Sequence, residues 1–261
     1  MTADQILGDF NPHPVSQDYF LNGAVSAFQP KQGYRAGMDA VFLASAVRPK
    51  PGEHVLEAGM GVGVPSLCLA HRMPKILITG IEQSQFYSQL AQKNIMENNC
   101  NGRVQVICAD FHVAIRGGGV LAEQLEGFDH AFANPPFYDE DRGSQSSLDL
   151  RRAARNMPAK DLLYWVKALT ALVRPGGTVT LIHRPEHLHS LLTACGRTLG
   201  NVQIAPLYPR VGASASRIIF QATKGSGAPL KLLQGLVLHS EDNQYTAGAD
   251  RILRHADAFP W

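Results

Sequence analysis

The sequence predicts an α/β fold with a mostly parallel sheet, because short apolar runs alternate with helical patterns from residue 53 onward. Two later apolar runs, at 202–210 and 217–224, follow each other without a helix between them. They predict an antiparallel hairpin at the edge of the sheet. The five strands predicted before this hairpin span residues 54–59, 76–82, 104–110, 128–136 and 178–184.

The segments between the predicted strands carry their own signals. A glycine loop and a helical stretch at 65–73 follow the first strand, and helical stretches at 84–99 and 186–200 follow the second and the fifth. The segment after the third strand is helical but is interrupted by glycines. Residues 159–177 predict a helix that ends at the glycine pair closing this range.

We expect one domain with additions at both ends. Residues 1–50 form a predicted N-terminal extension, residues 51–225 the α/β domain, and residues 226–261 a C-terminal tail that packs on or near the domain. No window approaches the roughly 18 uninterrupted apolar residues of a membrane helix, and the first residues show no secretory signal. We therefore expect a cytoplasmic protein with no membrane partner. The hairpin and the apolar run of the tail leave homodimer formation open.

Composition and charge argue against several kinds of site. The formal net charge is only +2, so any contact with nucleic acid has to come from a local basic patch. The stretch 183–189 contains three histidines but no carboxylate set that completes a metal shell, so we predict no metal site. The cysteines lack C-x-x-C spacing, which indicates free thiols in a reducing compartment and no disulfide framework. They are Cys68, Cys100, Cys108 and Cys195.

A glycine loop follows the first predicted strand and precedes a helix. Glycines at Gly59, Gly61 and Gly63 let the backbone approach a ligand closely, and the helix N-terminus offers unpaired N–H groups. Glu82 ends the next strand, where a carboxylate can accept from both ribose hydroxyls. Asp110 ends the third strand, where it can accept from an adenine amino group. The carboxyl edge of the sheet is therefore a predicted nucleoside-binding site.

The loop favours S-adenosylmethionine over NAD as the nucleoside-containing ligand. A dinucleotide fingerprint requires G-x-G-x-x-G so that the helix N-terminus faces a pyrophosphate. This loop has G-x-G-x-G spacing, with Glu57 two residues before the first glycine. A carboxylate at Glu57 would repel a pyrophosphate but suits a cationic amino-acid or sulfonium group.

The segments EAGMGVG, GIE, AD and NPPF, in this order, resemble class I S-adenosylmethionine-dependent methyltransferases that modify an exocyclic amino nitrogen. The NPPF element is similar to the signature of enzymes that methylate adenine N6 or a glutamine amide. The lead-in QGYRAGMDAVFLA (32–44) resembles that of bacterial tRNA adenine-N6 methyltransferases that act on the anticodon loop of a valine tRNA. The resemblance, over residues 30–225, implies a Rossmann-like class I methyltransferase fold. Its sheet would be mostly parallel and seven-stranded, with a terminal antiparallel hairpin.

The turn at residues 134–137 carries the residue types that an amine-methylating site needs. The Asn134 side-chain carbonyl and the Pro135 backbone carbonyl can accept from the two hydrogens of an amino group, which aims the nitrogen lone pair at the methyl donor. Pro136 helps to fix the turn, since proline cannot continue the sheet ladder. Phe137 can stack on the base, a contact worth about 1–3 kcal/mol in other base–aromatic pairs. These four residues are the predicted catalytic group.

The resemblance assigns further residues to the donor and the acceptor. It implies that the N-terminal extension covers the donor, with Tyr34 and Arg35 beside it and Arg35 placed to pair with a carboxylate. Phe111, next to Asp110, joins the predicted cofactor site. The glycine loop departs from the family pattern at Met60 and Val62, where small or polar residues are usual. Residues 138–160 form a mixed-charge segment whose basic side chains can bind phosphates around a flipped adenine. Its candidate substrate-binding residues are Arg142, Arg151 and Arg152.

The sequence supports N6-methylation of an adenine in structured RNA, with tRNA as the expected substrate. Three alternatives remain open. The same turn suits a methyltransferase acting on a protein glutamine amide. A small-molecule O-methyltransferase typically needs a base or metal near a hydroxyl, and no such cluster is evident. A non-catalytic module that binds the donor is favoured only by Met60 and Val62, and the intact NPPF element argues against it.

Overall fold

The computed structural model describes residues 14–135 and 159–261. Within these ranges the chain forms a small N-terminal hairpin and a larger mixed sheet with helices on both faces. The strands are β1 (Val15–Phe20), β2 (Val25–Pro30), β3 (His54–Ala58), β4 (Leu77–Glu82), β5 (Val104–Cys108), β6 (Phe128–Ala133), β7 (Val173–His183), β8 (Leu199–Tyr208), β9 (Arg217–Lys224), β10 (Lys231–Leu232) and β11 (Leu236–Val237). The helices are α1 (Met38–Ala46), α2 (Val64–Arg72), α3 (Gln85–Glu97), α4 (Phe111–Ala114), α5 (Ala159–Leu172), α6 (Leu188–Cys195) and α7 (Ala247–His255).

The larger sheet confirms the predicted α/β class. Its order is β10-β8-β9-β7-β6-β3-β4-β5, and the strands from β7 to β5 in this order are mutually parallel. Strand β9 runs antiparallel to both β7 and β8, as the hairpin prediction requires. The expected count of seven strands was wrong, because nine are present in the described part of the chain. The extra two, β10 and β11, come from the C-terminal tail and pair with β8, so they cover the outer side of the hairpin.

The parallel strands are apolar on both faces because helices cover both sides of the sheet. Val55 and Phe132 belong to the core on one face, which includes the apolar side chains of α1, α2 and α3. Leu56 and Ala131 belong to the core on the other face, with α5 and α6. Since side chains alternate along a strand, a run without polar interruptions is typical of a strand buried on both sides.

Helix α5 is shorter than the sequence predicted. It ends at Leu172, and β7 begins at the next residue, whereas the glycine pair suggested a helix through residue 177. Arg174 precedes a proline, which disfavours the helical conformation, and Pro175 has no N–H for a helical hydrogen bond. Gly177 instead lies against the backbone of β6, since a Cβ there would be 2.2 Å from the Asp129 carbonyl oxygen.

Two asparagines, Asn94 of α3 and Asn98 at its C-cap, bind the N-terminal hairpin. Each side chain pairs with a backbone N–H and carbonyl of β2, as the backbone of an adjacent strand would. Asn94 accepts from the Phe28 N–H at 2.7 Å and donates to the Phe28 carbonyl at 3.1 Å. One turn later, Asn98 accepts from the Ser26 N–H at 3.0 Å and donates to the Ser26 carbonyl at 2.7 Å. Asn94 also donates to the Val62 carbonyl at 2.9 Å. A single buried amide therefore joins the hairpin to the glycine loop.

The lead-in that follows the hairpin is held by a third amide. Gln29 is fully buried, accepts from the Ala36 N–H at 2.8 Å and donates to the Ala36 carbonyl at 3.2 Å. Its amide nitrogen also lies 2.6 Å from a carboxylate oxygen of Asp18. Residues 31–36 are therefore anchored at both ends, which fixes the lead-in relative to the sheet.

The C-terminal tail packs against α1. Thr246 is the N-cap of α7, where its side chain accepts from the Ala249 N–H, and the helix buries Ile252. The Trp261 indole donates to the Ala46 carbonyl at 2.9 Å, and the Phe259 N–H donates to the Ser45 carbonyl at the same distance. Across the described ranges, the helices all fall short of the length and apolar character required to cross a bilayer.

Candidate active site

The carboxyl ends of four parallel strands meet at one edge of the sheet. The register pairs Ala58 with Ile81, Glu82 with Cys108, and Ala58 with Ala133. The loops that follow β3, β4, β5 and β6 are therefore neighbours, as the sequence predicted. In open sheets of this kind, ligands bind outside the carboxyl ends of the strands.

The glycine loop after β3 requires glycine at three positions. Gly59, Gly61 and Gly63 have φ of 70°, 58° and 88°, a region that other residues rarely adopt. The N–H groups of Gly59 and Met60 both donate to the Ile81 carbonyl at 2.9 Å, which ties the loop to β4. Gly63 is the N-cap of α2, so the loop leads directly into the helix N-terminus.

The two apolar residues in the glycine loop point into the protein. Met60 and Val62 are both buried and belong to the core that packs against α2 and α3. The Met60 side chain lies directly over Gly80 of β4, because a Cβ at Gly80 would be 2.1 Å from the Met60 sulfur. The departure from the family pattern at Met60 is therefore matched by a glycine on the neighbouring strand.

Replacing Gly80 with alanine is expected to lower the free energy of unfolding by about 1–3 kcal/mol, because the added methyl overpacks the Met60 side chain. Urea unfolding followed by far-UV circular dichroism measures the change. Gly102→Ala is the matched control, since neither glycine has a positive φ and nothing lies within 4 Å of a Cβ at Gly102. Adding Met60→Ala to Gly80→Ala should recover part of the loss. A Gly80→Ala variant as stable as the control would contradict the contact.

Glu82 connects the end of β4 to the glycine loop. One carboxylate oxygen accepts from the Gly61 N–H at 2.8 Å, and the other accepts from the Ser84 N–H at 2.8 Å. Burial raises the pKa of this carboxyl, while the hydrogen bonds from Ser84 and Gly61 oppose the shift. Each oxygen retains a second lone pair, so the carboxylate can still accept from a pair of hydroxyl groups.

Glu57 is a fully buried carboxyl near the end of β3, two residues before the first glycine of the loop. Its hydrogen-bond partner is the Ser66 hydroxyl, which donates to it from the first turns of α2. Burial, with a smaller contribution from the nearby Glu82 carboxyl, raises the pKa of Glu57 to about 8, while the hydrogen bonds from Ser66 oppose the shift. Among the described residues, no cationic side chain forms an ion pair with Glu57. A buried carboxyl without a cation fits a ligand that brings its own positive charge.

The third strand end combines an exposed carboxylate with a buried aromatic ring. Asp110 caps α4 through one oxygen, which accepts from the His112 N–H at 2.7 Å and from the following N–H at 3.2 Å. Its other oxygen is available to a ligand. The Phe111 ring is buried 5.1 Å from the Trp165 ring, between centroids. Trp165 in turn reaches Gly59, where a Cβ would be 3.0 Å from the indole.

The turn after β6 presents a buried acceptor. The Asn134 Oδ1 atom is buried, and no hydrogen-bond donor reaches it from the residues that the structure describes. The Asn134 amide nitrogen instead lies 3.4 Å from the Tyr34 hydroxyl. Pro135, the next residue, is also buried. Since buried polar atoms normally have partners, this carbonyl is available to a donor from outside the described residues.

Tyr34 lies between the glycine loop and this turn. Its ring is 3.4 Å from the position that a Cβ of Gly61 would take. The Tyr34 N–H donates to the Tyr87 hydroxyl at 3.1 Å, which holds the lead-in on α3. Half of the Tyr34 surface is exposed. Burial, followed by the charge of Glu57, raises the phenol pKa above its usual value, so the hydroxyl stays protonated.

Other predicted site residues lie elsewhere or outside the described ranges. The Arg35 guanidinium donates to Ser16 at 2.9 Å and to the Pro30 carbonyl at 2.7 Å, and it pairs with Asp18. It is therefore engaged with the hairpin, and its predicted contact with a donor carboxylate stays a prediction. The predicted residues outside the described part of the chain are Pro136, Phe137, Arg142, Arg151 and Arg152.

The strands beside the turn, with the residues that follow β7, carry two histidines and an arginine at the same edge. His183 ends β7, and its ring lies 4.5 Å from that of His187 between centroids. Burial, aided by the nearby His187, lowers the His183 pKa to about 4, so this imidazole is neutral at pH 7. Arg217, at the start of β9, pairs with Asp39 of α1 at 2.8 Å. In the described ranges, no group of three or more His, Cys, Asp or Glu side chains is arranged to hold a metal ion.

Sequence reasoning missed several residues that shape the site. Ser66, Tyr87 and Trp165 each contact a predicted site residue, but all three lie inside helices and read as ordinary helical positions. Their one local signal is a polar or aromatic side chain on a helix next to the glycine loop. That signal is too common to single them out.

The chain is similar to known proteins in sequence and in fold. The family model of the methyltransferase small domain matches residues 36–157. The chain is 25% identical over 234 residues to a tRNA1(Val) (adenine(37)-N6)-methyltransferase of Glaesserella parasuis serovar 5, across 85% of this chain and 93% of the relative. It is 30% identical over 162 residues to the protein of the same name from Shewanella halifaxensis, across 62% of each chain.

A solved structure of similar architecture is that of a predicted O-methyltransferase from Agrobacterium tumefaciens. It matches with a TM-score of 0.70 at 26% identity, covering 85% of this chain and 98% of that chain. The shared sheet agrees with the methyltransferase family model and with the names of the relatives. The family model, the named relatives and this solved structure together indicate an S-adenosylmethionine-dependent methyltransferase.

Proposed function

We propose that the protein methylates N6 of an adenine in a structured RNA, and that this RNA is a tRNA. S-adenosylmethionine supplies an electrophilic methyl group on a sulfonium centre. The protein contributes acceptors that orient the amino group and a pocket that binds the cationic donor. Because the amine can release its proton after it has become cationic, the site needs no strong general base.

The observation that carries the proposal is the buried Asn134 Oδ1 atom, which lacks a donor among the described residues. An adenine amino group has two hydrogens and a lone pair that is delocalised into the ring. Acceptors on both hydrogens favour a pyramidal nitrogen, and the Asn134 side chain and the Pro135 backbone offer two carbonyl groups at adjacent positions. A hydroxyl acceptor has a single hydrogen to donate, so it would leave one of the two carbonyls unsatisfied.

We assign the donor to the residues of the first three strand ends. Glu57 would face the cationic part of the donor, because it is buried without an ion pair in the described ranges. Glu82 would accept from the ribose hydroxyls and Asp110 from the adenine amino group. Backbone atoms of the glycine loop would approach the donor directly. Tyr34 covers the loop from the lead-in side.

The RNA part of the proposal rests on the relatives and on charge. Relatives that match most of this chain bear the name of a tRNA adenine-N6 methyltransferase. Arg184 follows the end of β7 and Arg217 begins the antiparallel β9, so both lie on the edge that holds Asn134. Arginines bind phosphates irrespective of sequence. Phe137 is proposed to stack on the flipped base. Arg142, Arg151 and Arg152 are proposed to contact the surrounding backbone.

The test is methyl transfer to tRNA from a strain that lacks this gene. Purified protein and labelled S-adenosylmethionine are incubated with this tRNA, which is then digested to nucleosides and separated. We expect label in N6-methyladenosine and none when tRNA from the parent strain, already modified, is used. The same reaction with total protein from the deletion strain tests the glutamine-amide alternative.

Two outcomes would contradict the proposal. Label that appears only in protein would move the acceptor to a glutamine amide. Absence of label in RNA from a preparation that binds the donor, measured by isothermal titration calorimetry, would exclude tRNA as the acceptor.

A further inference from the structure

The Tyr34 side chain contacts both halves of the site. Its ring lies against Gly61 of the donor loop, and its hydroxyl is 3.4 Å from the Asn134 amide nitrogen. The two residues are 100 positions apart in the sequence. No role in orienting the acceptor follows from the sequence, which predicts only that Tyr34 lies over the donor.

The position of Tyr34 is fixed from behind. Its N–H donates to the Tyr87 hydroxyl, and its carbonyl accepts from the same hydroxyl at 3.5 Å. Two residues later, Ala36 is held on both sides by the Gln29 amide. The phenol is therefore attached to a backbone segment that hydrogen bonds hold in place.

An amide that orients an amine has to face it with the correct end. Asn134 carries an acceptor, Oδ1, and a donor, Nδ2, on a nearly symmetric group. If Nδ2 faced the acceptor amine, donor would meet donor and the contact would be lost. Since both orientations fill the same space, a neighbouring hydrogen bond has to distinguish them.

We propose that Tyr34 is a positioning residue that sets the orientation of the Asn134 amide, so that Oδ1 faces the acceptor amine. The Tyr34 hydroxyl receives the amide N–H, which leaves Oδ1 for the incoming amino group. Burial and the nearby Glu57 and Asp39 carboxyl groups raise the pKa of the Tyr34 phenol, so its oxygen is neutral and can accept the amide N–H. This inference rests on the proposed function, in which Asn134 binds an amine.

Nuclear magnetic resonance tests the orientation without any substrate. The side-chain amide signals of Asn134 are assigned by their loss in Asn134→Ala, with uniformly 15N-labelled protein. In Tyr34→Phe, which keeps the ring and removes the hydroxyl, we expect these signals to shift and their hydrogens to exchange faster with water. Tyr19→Phe is the matched control, because Tyr19 is 65% exposed on β1. Asn134 signals unchanged by Tyr34→Phe would overturn the proposal.

Kinetics then tests the consequence for methyl transfer. We expect Tyr34→Phe to lower kcat about tenfold, the upper range for one lost hydrogen bond, with the donor Kd within about twofold of wild type. In an Asn134→Asp background, Tyr34→Phe should have little effect, because a carboxylate offers an acceptor whichever way it turns. An undiminished effect in that background, or a loss confined to donor Kd, would also overturn the proposal.

The two measurements separate the possible failures. Wild-type protein that methylates no RNA, but whose Asn134 signals respond to Tyr34→Phe, would refute the RNA substrate and keep the positioning role. Wild-type protein that methylates RNA, with a Tyr34→Phe variant of unchanged kcat, would refute the positioning role alone.

Discussion

Replacing Asn134 with alanine is expected to lower kcat for methyl transfer by about a hundredfold or more, while the donor binds as in wild type. The magnitude follows from other preorganised sites, in which removal of one hydrogen-bonding group costs about 10²–10³ in rate. The Asn134 carbonyl has no competing partner among the described residues, so the substitution breaks no hydrogen bond to Oδ1 within them. Its loss is expected to appear in the chemical step.

Single-turnover rates with saturating donor and RNA measure this effect, and isothermal titration calorimetry measures the donor Kd. Asn101→Ala is the matched control, since Asn101 is exposed in the turn before β5, at the opposite edge of the sheet. A variant at Asn134 that keeps more than a tenth of the wild-type rate would remove this carbonyl from the reaction. A parallel loss of donor binding would assign the residue to the donor instead.

Affinity for the donor is expected to rise with pH up to about 8, because Glu57 has to ionise before it can pair with a cation. Burial raises the pKa of Glu57 to about 8 in the donor-free protein, so the carboxyl is mostly protonated at pH 7. Binding of a cationic donor favours the carboxylate and therefore releases a proton. The donor Kd should then weaken by about tenfold per pH unit well below 8, or by about fiftyfold between pH 8 and pH 6.

Titration calorimetry from pH 6 to pH 9 in buffers of different ionisation enthalpy measures both the Kd and the released proton. The donor has an amino group of its own that titrates near 8, and Glu57→Gln reports that contribution alone. In Glu57→Gln the slope below pH 8 should vanish, and the Kd at pH 9 should be weaker than in wild type.

A Ser66→Ala variant sharpens this test. The Ser66 hydroxyl donates to the Glu57 carboxylate and lowers its pKa, so the midpoint of the wild-type profile should move to higher pH without it. A wild-type profile as flat as that of Glu57→Gln would exclude Glu57 from the donor site.

The fold and the glycine loop were predictable because the sequence patterns that indicate them lie within short segments of the chain. Gly61 lies between a strand and a helix, and Glu82 ends the next strand, so a short window of sequence contains each motif with its context. The turn at Asn134 was predictable for the same reason, since two prolines end an apolar run. The short strands β10 and β11 were not, because two residues carry no alternating pattern.

The contacts between motifs could not be predicted. Tyr34 was assigned to the donor, yet the sequence gives no reason to pair it with Asn134 or Tyr87, which depends on how α3 packs beside β2. Arg35 was expected at a donor carboxylate, and Asp18 turns out to be its partner in the structure. Such pairings arise from tertiary packing across many residues, and neither periodicity nor spacing encodes them.

Asn94 links the N-terminal hairpin to the sheet domain, and this link affects how the protein unfolds. The Asn94 side chain forms hydrogen bonds to the Phe28 backbone and to the Val62 carbonyl of the glycine loop. If the hairpin detached from α3, polar atoms beneath the glycine loop would lose their hydrogen-bond partners. The N-terminal hairpin and the glycine loop therefore belong to one cooperative unfolding unit. Occupancy of the donor pocket should slow amide exchange as far away as β2, and trimming the chain from its N-terminus through Phe28 should loosen the pocket before the sheet.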